Sequence, residues 1–85
     1  MGDVPLDDRD RSLLDFEAAW QRHGGAKEEA IRADLGLTPA RYYQLLGRLI
    51  DTEEALAHDP MLVKRLLRIR DERQRARLAR VSGDL

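Results

Sequence analysis

The 85-residue sequence predicts an all-α fold: a compact helical domain containing a helix-turn-helix, with a long basic C-terminal helix. Three observations carry this. Apolar residues recur three and four apart, as in Tyr42, Leu45, Leu46 and Leu49, which puts them on one face of a helix. Helix-starting pairs, Thr38-Pro39 and Asp59-Pro60, stand directly before such stretches. Glycines at Gly24-Gly25 and Gly36 stand directly after others, where a left-handed residue ends a helix.

Taken in order, the first helix is expected from about Asp8 to His23. Leu13, Phe16 and Trp20, with Ala19 and His23, fall at helical spacing, and Asp7, Asp8 and Asp10 lie where a cap and first turn favour negative charge. Gly24-Gly25 ends it. The second runs from about Ala26 to Leu35, with Glu28 and Glu29 in its first turn and Ala30, Ile31 and Leu35 as its apolar positions. Gly36 stops it. The third starts at Thr38-Pro39 and reaches about Asp51, and Thr52 with Glu53 and Glu54 caps a short fourth helix ending near His58. Asp59-Pro60 opens the last helix, which can extend to Arg80, about 30 Å at 1.5 Å per residue. Its first half carries Met61, Leu62, Val63, Leu66, Leu67 and Ile69 for packing, whereas Arg70 to Arg80 offers little to bury. Residues 1–7 are read as a flexible N-terminus, 8–80 as the domain (helix-turn-helix about 26–51, basic helix about 60–80), and 81–85 as a disordered tail.

Charge is unevenly placed along the chain. The net charge is −1, yet residues 1–59 hold 7 Lys/Arg against 13 Asp/Glu, while residues 60–85 hold 8 against 3. The C-terminal helix is therefore the electropositive end, and its local field matters more for steering than the total. No apolar run approaches the roughly 20 residues of a membrane helix, so no membrane contact is expected. The N-terminus, acidic and without an apolar core, does not read as a secretory signal, and the expected location is the cytoplasm, at the nucleoid. The absence of cysteine removes disulfides, thiol nucleophiles and thiolate metal sites.

A helix-turn-helix needs two helices joined by a tight turn, so that the second enters a groove while the first braces it. From Glu28 to Arg48 the sequence supplies the parts: Ile31, Leu35, Leu37, Tyr42 and Leu45 for the inner faces, and Gly36 for a turn that needs positive φ. Arg32 departs from the pattern, which favours a small residue where the helices touch. Either the helices cross less closely there or the frame is slightly different. With the Tyr42-Leu49 face buried, Thr38, Arg41, Tyr43, Gln44 and Arg48 point outward or sideways as base-reading candidates. Arg41 can donate twice to guanine, Gln44 can pair with adenine, and Tyr43 can reach a phosphate or a thymine methyl. Thr38 and the free N–H groups beside it suit a phosphate. No acid lies between Leu35 and Leu49 to repel a backbone.

Lys64, Arg65, Arg68, Arg70, Arg73, Arg75, Arg77 and Arg80 are the phosphate-contact candidates, each steepening salt dependence if used. The plainer reading is a solvated helix laced by pairs such as Asp71 with Arg75. A homodimer seam would run along Leu62, Leu66, Ile69, Arg73 and Ala76, interrupted by Arg73. The expected function is thus a DNA-binding protein on double-stranded DNA, a transcriptional regulator or small nucleoid-associated protein. The alternative is a protein-interaction module docking on transcription machinery without touching DNA.

Three runs carry a resemblance: residues 24–32 (GGAKEEAIR), 38–44 (TPARYYQ) and 57–66 (AHDPMLVKRL). Over about residues 8–80 the chain resembles the small helical family named domain of unknown function 3263. The resemblance implies a compact helical unit, a small regulator or nucleoid-associated protein of actinobacteria; 13 Arg against 2 Lys fits a high-GC source.

Catalytic chemistry finds little support. The two histidines, His23 and His58, have no ligand partner three or four residues away, so neither metal nor cofactor is expected. The pairs Asp7/Asp8, Glu28/Glu29 and Glu53/Glu54 each sit at a predicted helix start, where capping accounts for them. Gly24-Gly25 lacks the lysine and hydroxyl of a phosphate-binding loop. Trp20, Phe16 and Tyr42 are expected in the core, because so small a domain depends on its aromatics for burial. No enzymatic activity is expected.

Overall fold

The computed structural model describes residues 6–20 and 26–83, and 86% of these are helical with no strand among them. The elements are α1 (Asp8–Trp20), α2 (Lys27–Ala30) continued by a π-helical segment (Ile31–Leu35), α3 (Pro39–Leu49), α4 (Glu53–His58) and α5 (Pro60–Gly83). The predicted extension of α1 to His23 and its ending at Gly24-Gly25 lie outside the described residues.

The helix starts follow from their capping side chains. Asp7 Oδ1 accepts from the Asp10 amide at 2.8 Å, and Thr38 Oγ1 accepts from the Arg41 amide at 3.1 Å with Pro39 in the first turn. Thr52 Oγ1 accepts from the Ala55 amide at 3.1 Å while donating to the Leu49 carbonyl at 2.7 Å, so one hydroxyl ends α3 and begins α4. Asp59 Oδ1 accepts from the Leu62 amide at 3.2 Å. Each contact satisfies an otherwise orphaned backbone group, worth about 0.5–2 kcal/mol. Gly36 ends the π segment at φ +66°, the left-handed conformation that a side chain would strain.

Leu13, Leu14, Ile31, Tyr42, Leu62 and Val63 are wholly buried, with Leu46, Leu49, Ile50 and Ala55 completing the core. Each such aliphatic side chain contributes about 1.5–3 kcal/mol by leaving water. α1 packs on α3 and α4, α4 on α5, and the π segment on α3. Phe16 stacks on Trp20 and meets Tyr42 edge-on, both at 5.6 Å. His58 Nε2 lies 2.9 Å from Asp15 Oδ1, tying α4 to α1.

Four sequence expectations change. Ala19 is exposed, and the buried stripe of α1 consists of Leu13, Leu14 and Glu17. Arg32, which stood where the pattern favours a small residue, is exposed, and Ile31 is the buried residue at that level. The π winding places one more residue in the turn and so shifts which side chains face inward. Met61, expected to pack, is 81% exposed, because burial on α5 begins at Leu62 and Val63. Residues 81–83, expected in a disordered tail, are helical, so α5 continues past Arg80.

Glu17 is the one buried charged residue among those described. Its Oε1 accepts from the Tyr42 hydroxyl at 2.5 Å and from Lys27 Nζ at 2.8 Å. Burial, then the hydrogen bond to this carboxylate, holds the Tyr42 hydroxyl far above the ordinary tyrosine range. Lys27 Nζ also lies 5.7 Å from the Tyr42 ring centre and 5.2 Å from that of Tyr43. One oxygen thus joins α1, α2 and α3, which fixes how α3 presents its outer face.

Candidate functional site

Thr38, Arg41, Tyr43, Gln44 and Arg48 are all exposed. The structure nevertheless divides them. A residue turns about 100° along a helix, so Arg41, Gln44 and Arg48 share one edge of α3 while Tyr43 sits a quarter turn or more away. Arg41 Nη1 donates to Gln44 Oε1 at 2.7 Å, which aligns the two polar ends side by side. The side chain of Arg48, one turn on from Gln44, is in no ion pair or hydrogen bond among the described residues. Thr38 stands at the start of the helix, its hydroxyl used by the cap.

Tyr43 belongs to a second feature. It is 47% exposed, lies edge-on to Tyr42 at 5.0 Å, and lines an open groove between α3 and α5 of about 910 Å³. Leu46 and Gly47 of α3, Ile50 just after it, and Leu66 and Ile69 of α5 give this groove an apolar floor. Gly47 has no heavy atom within 4 Å of where a Cβ would stand, so its lack of a side chain leaves the floor open.

The basic helix presents two unlike faces. Arg65, Arg70, Arg73, Arg77 and Arg80 line the groove, the last four at three-and-four spacing, whereas Lys64, Arg68 and Arg75 do not line it. Arg70 forks onto Asp51, with Nη2 to Oδ1 at 2.8 Å and Nη1 to Oδ2 at 3.2 Å. Those hydrogen bonds hold the Asp51 carboxyl below its ordinary range and the Arg70 guanidinium above its own. Among the described residues no ion pair joins Asp71 to Arg75, the pairing expected of a solvated helix. Arg65 is half-buried, and its Nε is buried with no partner among the described residues. Such an unsatisfied donor costs about 1–3 kcal/mol. Of the suggested dimer seam, Leu62 is occupied in the chain's own core, and Leu66 and Ile69 belong to the groove.

Two residues of this region were not singled out by sequence reasoning. Glu17 and Lys27 close one end of the groove. The signal for Glu17 was available: it lies four residues after Leu13 and three after Leu14, on the stripe that buries them. Lys27 gave no such signal, being one of several charges at a helix start. Among the described residues no group of metal-ligating side chains gathers, and no helix is long and apolar enough to cross a membrane.

The architecture defines a small all-α unit in which an acid-free helix face stands beside a row of arginines. The chain belongs to the family described as Protein of unknown function (DUF3263), whose family model matches residues 5–78, from just before α1 through most of α5. This agrees with the resemblance read from the sequence. Comparison with curated proteins and with solved structures gave no match.

Proposed function

We propose that the protein binds double-stranded DNA, as a transcriptional regulator or small nucleoid-associated protein, with α2 and α3 acting as a helix-turn-helix. The observation that carries this reading is the outer edge of α3. Arg41, Gln44 and Arg48 form an exposed row without an acidic neighbour on the same helix, behind a capped N-terminus. An α-helix with such a row fits the major groove, about 12 Å wide, where Arg and Gln carry the donor patterns that read guanine and adenine. Lys64, Arg68 and Arg75, all exposed on α5, supply cations for flanking phosphates.

Fluorescence anisotropy with labelled duplexes across a salt series tests the reading. Affinity should fall steeply with salt. Arg41→Ala should weaken binding by about 1–3 kcal/mol and relax sequence preference, whereas Arg75→Ala should lower affinity evenly and reduce the salt slope by about one. Absence of duplex binding at about 50 mM salt ends it.

A further inference from the structure

We infer that the groove between α3 and α5 is a docking site for an acidic amphipathic helix of a partner protein. Its composition asks for both properties at once. The floor is apolar, from Leu46 and Ile50 on one wall to Leu66 and Ile69 on the other, and it stays open because Gly47 adds nothing to it. The α5 wall is cationic, with Arg73, Arg77 and Arg80 exposed along it. Among the described residues the only carboxylate lining the groove, Glu17, is already engaged by Tyr42 and Lys27.

Size agrees with such an occupant. A helix of about 15 residues is about 22 Å long and about 10–12 Å across, and it needs to enter only by one face. The groove, about 910 Å³ and open to solvent, has room for side chains from one face of such a helix. Helix-in-groove recognition works in this way: apolar anchors at i, i+3, i+4 and i+7 enter the floor, and the flanking side chains meet the rim. Acidic flanks would pair with the arginines and steer the encounter.

Other occupants match half of these features. A phosphate backbone suits the arginines but leaves the apolar floor wet. A second copy brings an α5 whose exposed half repeats the same positive charge, while the apolar face of its α1 is already buried in its own core. The inference does not rest on the DNA reading, since the groove face of α5 and the outer edge of α3 are different surfaces.

The test uses the full chain without DNA. The probe is a synthetic peptide of about 18 residues with leucines at three-and-four spacing and glutamates elsewhere, beside a scrambled peptide of equal composition. Backbone amide shifts should change at Leu46, Gly47, Ile50, Leu66 and Ile69, and the scrambled peptide should bind at least about tenfold more weakly. The double variant Arg73→Glu/Arg77→Glu alters only exposed positions, so it should stay folded by circular dichroism. It should lose the acidic peptide by about tenfold or more and gain affinity for the same peptide with lysines in place of glutamates. Equal binding of the scrambled peptide overturns the proposal, because charge alone would then suffice. So does a shift map centred on Arg41, Gln44 and Arg48, or displacement of the peptide by a duplex that perturbs the same groove amides. A dimer that forms through the groove and excludes the peptide overturns it as well.

Discussion

From Leu62 to Leu67 α5 lies against the core, with Leu62 and Val63 almost wholly buried, whereas from Asp71 to Arg80 every residue of the same helix is exposed. The first stretch is held by what it removes from water; the second only by its own backbone hydrogen bonds and the helix preference of its residues. The two stretches have different freedom to vary. A side chain in the first is fixed by the shape around it. One in the second can be chosen for charge, because no neighbour is disturbed.

The sharpest way to break this comparison is truncation in each half. Leu62→Ala should cost about 2–5 kcal/mol in a urea titration, since a cavity opens among Leu13, Tyr42 and their neighbours or the site must collapse. Leu78→Ala, at a residue 61% exposed, should stay within about 0.5 kcal/mol. Equal losses would mean that the outer half is packed after all.

Tyr42→Phe sharpens the comparison from within the packed body. Removing the hydroxyl leaves Glu17 with Lys27 alone and should cost about 1–3 kcal/mol at neutral pH. It should also change the alkaline limb of stability. Because burial and Glu17 raise the Tyr42 pKa, the folded state keeps a proton that an unfolded tyrosine begins to release near its ordinary value of 10.0. That contribution is complete below pH about 10 and is lost as pH rises beyond it. The wild-type chain should therefore lose stability more steeply above pH about 10 than the Phe variant, as read by urea midpoints at successive pH values.

A gain rather than a loss is expected where the packed body leaves a glycine without neighbours. Gly47→Ala adds a methyl group that meets nothing within 4 Å, and alanine is favoured over glycine inside a helix by about 1 kcal/mol. The variant should be more stable by roughly that amount, a rise in Tm of about 4–8 °C. Arg65→Met removes the unpartnered buried Nε and should be neutral or mildly stabilising by the same measurement.

Much of this fold is written in its helix ends. Thr38-Pro39, Thr52 and Asp59-Pro60 start helices where their side chains can accept from the first free amides, and Gly36 stops one because a positive φ suits it. These are local effects, so a sequence displays them. The outward row on α3 was legible for the same reason, once Tyr42, Leu46 and Leu49 were assigned inward. Its partition was not: whether Tyr43 sides with Arg41 or with the groove depends on where α5 runs, which no local pattern states. The π winding at Ile31–Leu35 left one trace, the misfit of Arg32, and could not be deduced from it. Glu17 was overlooked because a carboxylate on a helix usually marks the wet side; its burial depends on Lys27 and Tyr42, 10 and 25 residues further along the chain.

The bare half of α5 also bears on time. Amides of Leu62 and Val63 can exchange with solvent only when the core opens, so their protection should approach that of global unfolding. Those from Asp71 onward need only the helix to fray, which for isolated segments takes about a microsecond or less. A single continuous helix would then show a steep gradient of hydrogen exchange along its length. Trypsin should find the same gradient, cutting first at the outer arginines and leaving the packed body whole.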